Sequence, residues 1–135
     1  MGDSVRENCG VFGCFGVSEA SNIAFWALWA LQHRGEESCG IVSSDGYELY
    51  ARTRMGLVAT PGNFDRDILI EALPGDIAIG HTRYSTTGTS TLKNAQPIVV
   101  DEKMAIAHNG NLVDISKTRI NLIEDGAIFS SETDS

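Results

Sequence analysis

Between Glu19 and His33 the chain places apolar side chains on nearly every face of a single helical stretch. Ile23, Trp26, Ala27, Ala30 and Leu31 recur at i, i+3, i+4, i+7 and i+8, while Phe25, Leu28 and Trp29 occupy the other side. Ser18 offers an N-cap and Gly35 a stop, so the pattern predicts a helix from Glu19 to His33. A helix this apolar is expected to lie buried between layers, with both tryptophans packed in the core.

The layers have to come from the segments around it. Cys9 to Phe15 alternates like a strand and carries glycines where another backbone must come close. Ser38 to Ser44 and Tyr47 to Arg54 read as a hairpin, because Asp45-Gly46 favours the positive φ angles of a tight turn. Asp65 to Leu73 fits a short helix and Asp76 to His81 a further strand. Pro97 to Val100 and Lys103 to His108 read as a strand pair across Asp101-Glu102. Asp114 to Glu124 is a plausible helix stopped by Gly126, and Ala127 to Phe129 begins another extended stretch. Strands outnumber helices and no repeat or linker divides them, which indicates one layered α+β unit.

Composition narrows the function classes. At 135 residues with 42% hydrophobic content the chain suffices for one globular core. A formal charge of −8 without any basic run argues against a nucleic-acid surface, whose affinity depends on neutralising phosphates. There is no signal-peptide pattern and no apolar run of about 18 residues, so neither export nor membrane insertion is expected and the chain reads as cytoplasmic. Three cysteines at irregular spacing, with no Cys-x-x-Cys and no His-x-x-x-His, read as free thiols rather than a disulfide framework or a metal site.

One of these thiols stands apart. Met1 to Asn8 is mostly polar without an apolar period, so it could be removed without disturbing a core. Cleavage would make Cys9 the N-terminus, putting a thiol (reference pKa about 8.5) and an α-amine (about 7.7–8.0) on one residue. Nucleophile and base would then be the same residue. Cys39, beside Gly40 and Ile41, reads instead as a small buried hydrophobe.

Four blocks now fall in order: Cys9-Gly10-Val11-Phe12-Gly13, Leu31-Gln32-His33-Arg34-Gly35-Glu36, Gly80-His81-Thr82-Arg83-Tyr84-Ser85-Thr86, and Ala107-His108-Asn109-Gly110-Asn111-Leu112. Together they resemble the glutamine amidotransferases of the N-terminal-nucleophile kind (class II). The resemblance is strongest to the branch acting on phosphoribosyl pyrophosphate, because glucosamine-6-phosphate synthases typically carry a tyrosine before the Arg-Gly and a tryptophan where Tyr84 stands. It implies an αββα sandwich, incomplete at the C-terminus. Residues 1–8 would be a propeptide and 9–135 the N-terminal part of the glutaminase domain.

The resemblance also implies roles. Cys9 would attack the side-chain amide of glutamine to form a thioester and release ammonia, with Asn109 and the Gly110 N–H stabilising the oxyanion. Arg83 would hold the substrate carboxylate, Asp134 its ammonium, and Arg34, Gly35 and Tyr84 would shape the pocket. Glu36 departs from the glutamine common at that position. The ammonia would convert phosphoribosyl pyrophosphate to 5-phosphoribosylamine, the first committed step of purine synthesis, on a downstream domain absent from this sequence. The full-length enzyme would be a homo-oligomer using Mg2+, with an iron–sulfur cluster as a further expectation, while this segment needs no cofactor.

Taken alone, each residue has a plainer explanation: a buried cysteine, an ordinary Asn-Gly turn, a surface ion pair for Arg83. Three other functions compete with the amidotransferase assignment. One is a Cys-His hydrolase pairing Cys9 with His33, His81 or His108 while the first eight residues stay attached. The others are another class II enzyme, such as glucosamine-6-phosphate synthase, and an inactive fragment.

Overall fold

The computed structural model describes residues 9–32, 37–84, 91–110 and 112–131. The first strand, β1 (Gly10–Phe15), leads to helix α1 (Ala20–Leu31), then to the hairpin β2 (Ser38–Ser44) and β3 (Leu49–Met55). Helix α2 (Arg66–Ala72) and strand β4 (Ile77–Arg83) follow, then a 3-10 turn at Leu92–Asn94, strands β5 (Ile98–Val100) and β6 (Met104–Ile106), and helix α3 (Ile115–Glu124). Among the described residues no helix is long and apolar enough to cross a membrane.

β4 enters between β1 and β2, giving an antiparallel four-stranded sheet in the order β1-β4-β2-β3. The register pairs Gly10 with Thr82, Val11 with His81, and Gly40 with His81. Because side chains alternate across a strand, this register sorts the sheet into two faces. Phe12, Cys14, Cys39, Ile41 and Ala78 meet Ala20, Ala24, Phe25 and Leu28 of α1 in one apolar cluster. Gly80 lets α1 approach closely, since a Cβ there would lie 3.1 Å from Leu28 side-chain carbons. The opposite face, with Val11, Gly13 and Ile79, looks onto Ala105 and Ile106 of the second sheet across a cleft of about 340 Å³.

Helix α1 departs from its expected burial. Ala20, Ser21, Ala24, Phe25 and Leu28 face the sheet, whereas Ile23, Trp26 and Trp29 remain 41–46% exposed. The small residues form the inner stripe because they let the helix sit close to a glycine-bearing sheet. The tryptophans pack sideways, with Phe25 and Trp26 edge to face at 5.3 Å and the Arg66 guanidinium 4.5 Å above the Trp26 ring. Ser18 is not the cap either. Glu19 holds that position at φ 56 without a side-chain bond, and the Ala20 N–H donates to the Gly75 carbonyl at 3.3 Å. A neighbouring loop thus satisfies the helix end that Ser18 was expected to cover.

Local chemistry decides the other turns. Asp45 accepts from the N–H groups of Tyr47 and Glu48, both at 2.9 Å, so β3 starts at Leu49 rather than Tyr47. Those backbone donors hold its carboxyl below the usual aspartate range. Asp65 caps α2 by accepting from the Asp67 N–H at 3.1 Å. Asp101 and Glu102 both take positive φ, 52° and 55°, forming a primed turn without glycine. Gly126 ends α3 at φ 95, with its N–H on the Ile123 carbonyl and the Ala127 N–H on the Leu122 carbonyl.

The second layer is slighter than the expected sandwich. It consists of β5 paired with β6, and α3 buries none of its residues among those described. Ala127 to Phe129 forms no strand. Arg119 lies 4.1 Å over the Phe129 ring and donates to the Ser131 carbonyl at 2.7 Å, so this segment folds back along α3.

Candidate active site

The end of β4 and the start of β1 lie side by side, and the register continued by one residue sets Cys9 opposite Arg83. Thr82 ties the strand ends together, its Oγ1 accepting from the Gly10 N–H at 3.2 Å. A Cβ at Gly10 would lie 2.8 Å from that oxygen, so the residue after Cys9 must be glycine for the contact to form. The Cys9 thiol is 3.5 Å from the Tyr84 carbonyl, a long contact. Asn109, 100 residues away in sequence, donates from Nδ2 to the Cys9 carbonyl at 2.6 Å.

Cys9, Arg83, Tyr84, Asn109 and, next to it, Gly110 therefore meet at one end of the sheet. Arg83 is only 3% exposed, which excludes the surface ion pair as its explanation. A guanidinium presents paired donors in a planar fork, so Arg83 is suited to an anionic group brought into the site. Tyr84 is half-exposed at the rim. Arg34, Gly35, His33, Glu36 and Asp134 lie outside the described residues.

The other thiols are structural. Cys39 is buried against α1, and burial pushes its thiol up to about 12 despite the opposing charge of Arg54. Burial also raises Cys14, whose sulfur sits 3.7 Å from the Ala20 carbonyl. Burial thus disfavours the thiolate at both.

Behind the site stands a layer that motif reading did not anticipate. His81 is fully buried and its Nε2 lies 3.0 Å from the His108 carbonyl. Burial lowers its pKa to about 4, so it is neutral near pH 7 and must donate from Nε2. This contact commits Nε2 of His81 to the His108 carbonyl. The His108 N–H donates to Gln96 Oε1 at 2.8 Å, and the Gln96 backbone carbonyl rests on Gly40, where a Cβ would overlap it. The available signal was Gly40 itself: a glycine inside a strand marks a close backbone approach.

Among the described residues no group of three or more His, Cys, Asp or Glu side chains could hold a metal ion.

No protein-family profile matches the chain. Individual proteins do match. It is 49% identical over 133 residues to the chloroplastic amidophosphoribosyltransferase 2 of Arabidopsis thaliana, covering 96% of this chain and 23% of that protein. It is 44% identical to the amidophosphoribosyltransferase of Rhizobium etli, covering 98% of this chain and 27% of that one. Among solved structures, the glutamine phosphoribosylpyrophosphate amidotransferase from B. subtilis complexed with ADP and GMP superposes with a TM-score of 0.77 at 39% identity, covering 91% of this chain and 27% of that one. The chain thus spans about a quarter of the length of the relatives it matches. The α+β fold of the N-terminal-nucleophile type is the fold of this chain.

Proposed function

We propose that this chain, which is similar over nearly its whole length to amidophosphoribosyltransferases, carries the glutamine-hydrolysing site of such an enzyme. The observation that supports this reading best is the 2.6 Å contact between the Asn109 side-chain amide and the Cys9 carbonyl. It puts an N–H donor beside the residue bearing the nucleophile, as acyl transfer requires.

In this reading Met1 to Asn8 is a propeptide whose removal frees the α-amine of Cys9. The amine takes the thiol proton as Sγ bonds to the side-chain carbonyl carbon of glutamine. The oxygen gains negative charge, and the Asn109 amide and the Gly110 N–H stabilise it. Collapse breaks the C–N bond, and the ammonium group returns the proton so that ammonia leaves. Water then cleaves the thioester, giving glutamate and restoring the thiol. Arg83 holds the substrate carboxylate bidentately and Asp134 its ammonium, with Arg34, Gly35 and Tyr84 lining the pocket.

The ammonia would go to phosphoribosyl pyrophosphate, giving 5-phosphoribosylamine for purine synthesis in a downstream domain. That domain would supply any Mg2+ or cluster site and the contacts of a homo-oligomer. The test is glutamate release by the full-length protein with and without Cys9→Ala, together with labelling by an electrophilic glutamine analogue. Loss of glutaminase activity in the variant and one adduct on Cys9 are expected. Unchanged turnover in Cys9→Ala, or labelling at Cys14 or Cys39, would overturn the assignment.

A further inference from the structure

We propose that His81 is the positioning residue that holds the Asn109-Gly110 segment in its working orientation, by donating from Nε2 to the His108 carbonyl. This inference rests on the glutaminase reading and names a residue that the reading itself leaves without a role.

The His108 carbonyl and the Asn109 N–H belong to one planar peptide unit. Fixing that oxygen sets the plane from which the Asn109 side chain and the Gly110 backbone depart. The preceding peptide is fixed as well, because the His108 N–H donates to Gln96 Oε1 at 2.8 Å. Both anchors stand on the same spot of the sheet. Gly40 and His81 are register partners on β2 and β4; the Gln96 carbonyl lies on the first and the His108 carbonyl on the second.

The side chain at this position comes with a cost that a purely structural role would not require. His81 is fully buried, and among the described residues its Nδ1 has no hydrogen-bond partner. An apolar side chain would avoid that unsatisfied nitrogen but would remove the His81 donor from the His108 carbonyl. Histidine is neutral here, so it supplies the donor without burying a charge. Asn109 then reaches Cys9 from a residue, His108, whose N–H and C=O are both held.

The test separates reach from polarity in the full-length protein. Glutamine places its amide nitrogen near the position of Nε2, whereas asparagine places the same group short of the carbonyl. His81→Asn and His81→Leu should lower glutaminase kcat by roughly 10- to 100-fold, with the KM for glutamine changing by less than about twofold, because Arg83 and the pocket wall stay in place. His81→Gln should recover most of the lost kcat. Labelling of Cys9 at unit stoichiometry in each variant shows that the site is folded. If His81→Gln and His81→Asn turn over alike, or if the loss appears in KM alone, the positioning role is overturned. Absence of Cys9-dependent glutaminase in the unsubstituted protein would instead overturn the functional reading beneath it.

Discussion

The side-chain amide of Asn109 donates to the backbone carbonyl of Cys9 at 2.6 Å. The bond runs to the backbone of Cys9, so Asn109 can locate that residue without engaging its sulfur, and in the glutaminase reading its amide is the oxyanion donor. Asn109→Ala should therefore lower glutaminase kcat by about 10²–10³-fold, the usual loss for one oxyanion donor. Steady-state glutamate release checks this. A fall in affinity with unchanged kcat would mean that Asn109 binds substrate and does not stabilise the transition state.

The α-amine of Cys9 can act as base only if it is free. Intact-mass measurement of the active protein should find the chain beginning at Cys9, lighter by Met1 to Asn8. A protein that turns over glutamine with Met1 or Gly2 at its terminus would refute the amine as base and revive a histidine partner, with His33, His81 and His108 as the candidates.

Gly40 has no room for a methyl group. A Cβ there would overlap the Gln96 carbonyl and lie 2.8 Å from Thr53 Cγ2. Gly40→Ala should cost about 1–3 kcal/mol as overpacking, read from the midpoint of chemical denaturation. Because Gln96 holds His108, kcat should also fall at temperatures where the variant is fully folded. Full activity in the folded variant would detach Gly40 from the site.

His81 makes stability depend on pH. Its folded-state pKa, lowered by burial to about 4, lies below the ordinary 6.5. Between these values the unfolded chain binds a proton that the folded chain does not, so acidification across this window favours unfolding, by up to about 1.4 kcal/mol per pH unit. Above pH 6.5 the contribution is constant, and below about 4 it is fully lost. His81→Gln removes the titration, so the gap in unfolding free energy between it and the unsubstituted protein should shift in its favour from pH 6.5 down to 4. Parallel curves would show that His81 is accessible to protonation in the fold.

Sequence alone determined the features whose causes are local. Strand alternation marked β1, β2 and β4; Asp45-Gly46 and Gly126 marked a turn and a helix end, because positive φ favours glycine wherever the chain goes afterwards. Four ordered motif blocks named Cys9, Arg83, Tyr84, Asn109 and Gly110, which the fold gathers at one end of the sheet. Tertiary structure decided what depended on distant partners. Nothing near α1 could tell which of its two apolar faces would be covered; the choice fell to Ala20 and Ala24 because β4 offers Gly80 opposite Leu28. Ser18 lost the capping role to a carbonyl some 55 residues further on, at Gly75. The insertion of β4 between β1 and β2 brings Cys9 to Arg83 and Gly40 to His81, and no periodicity encodes such a pairing. The support behind Asn109 stayed hidden for the same reason: His81 has a role only where the fold delivers the His108 carbonyl to it.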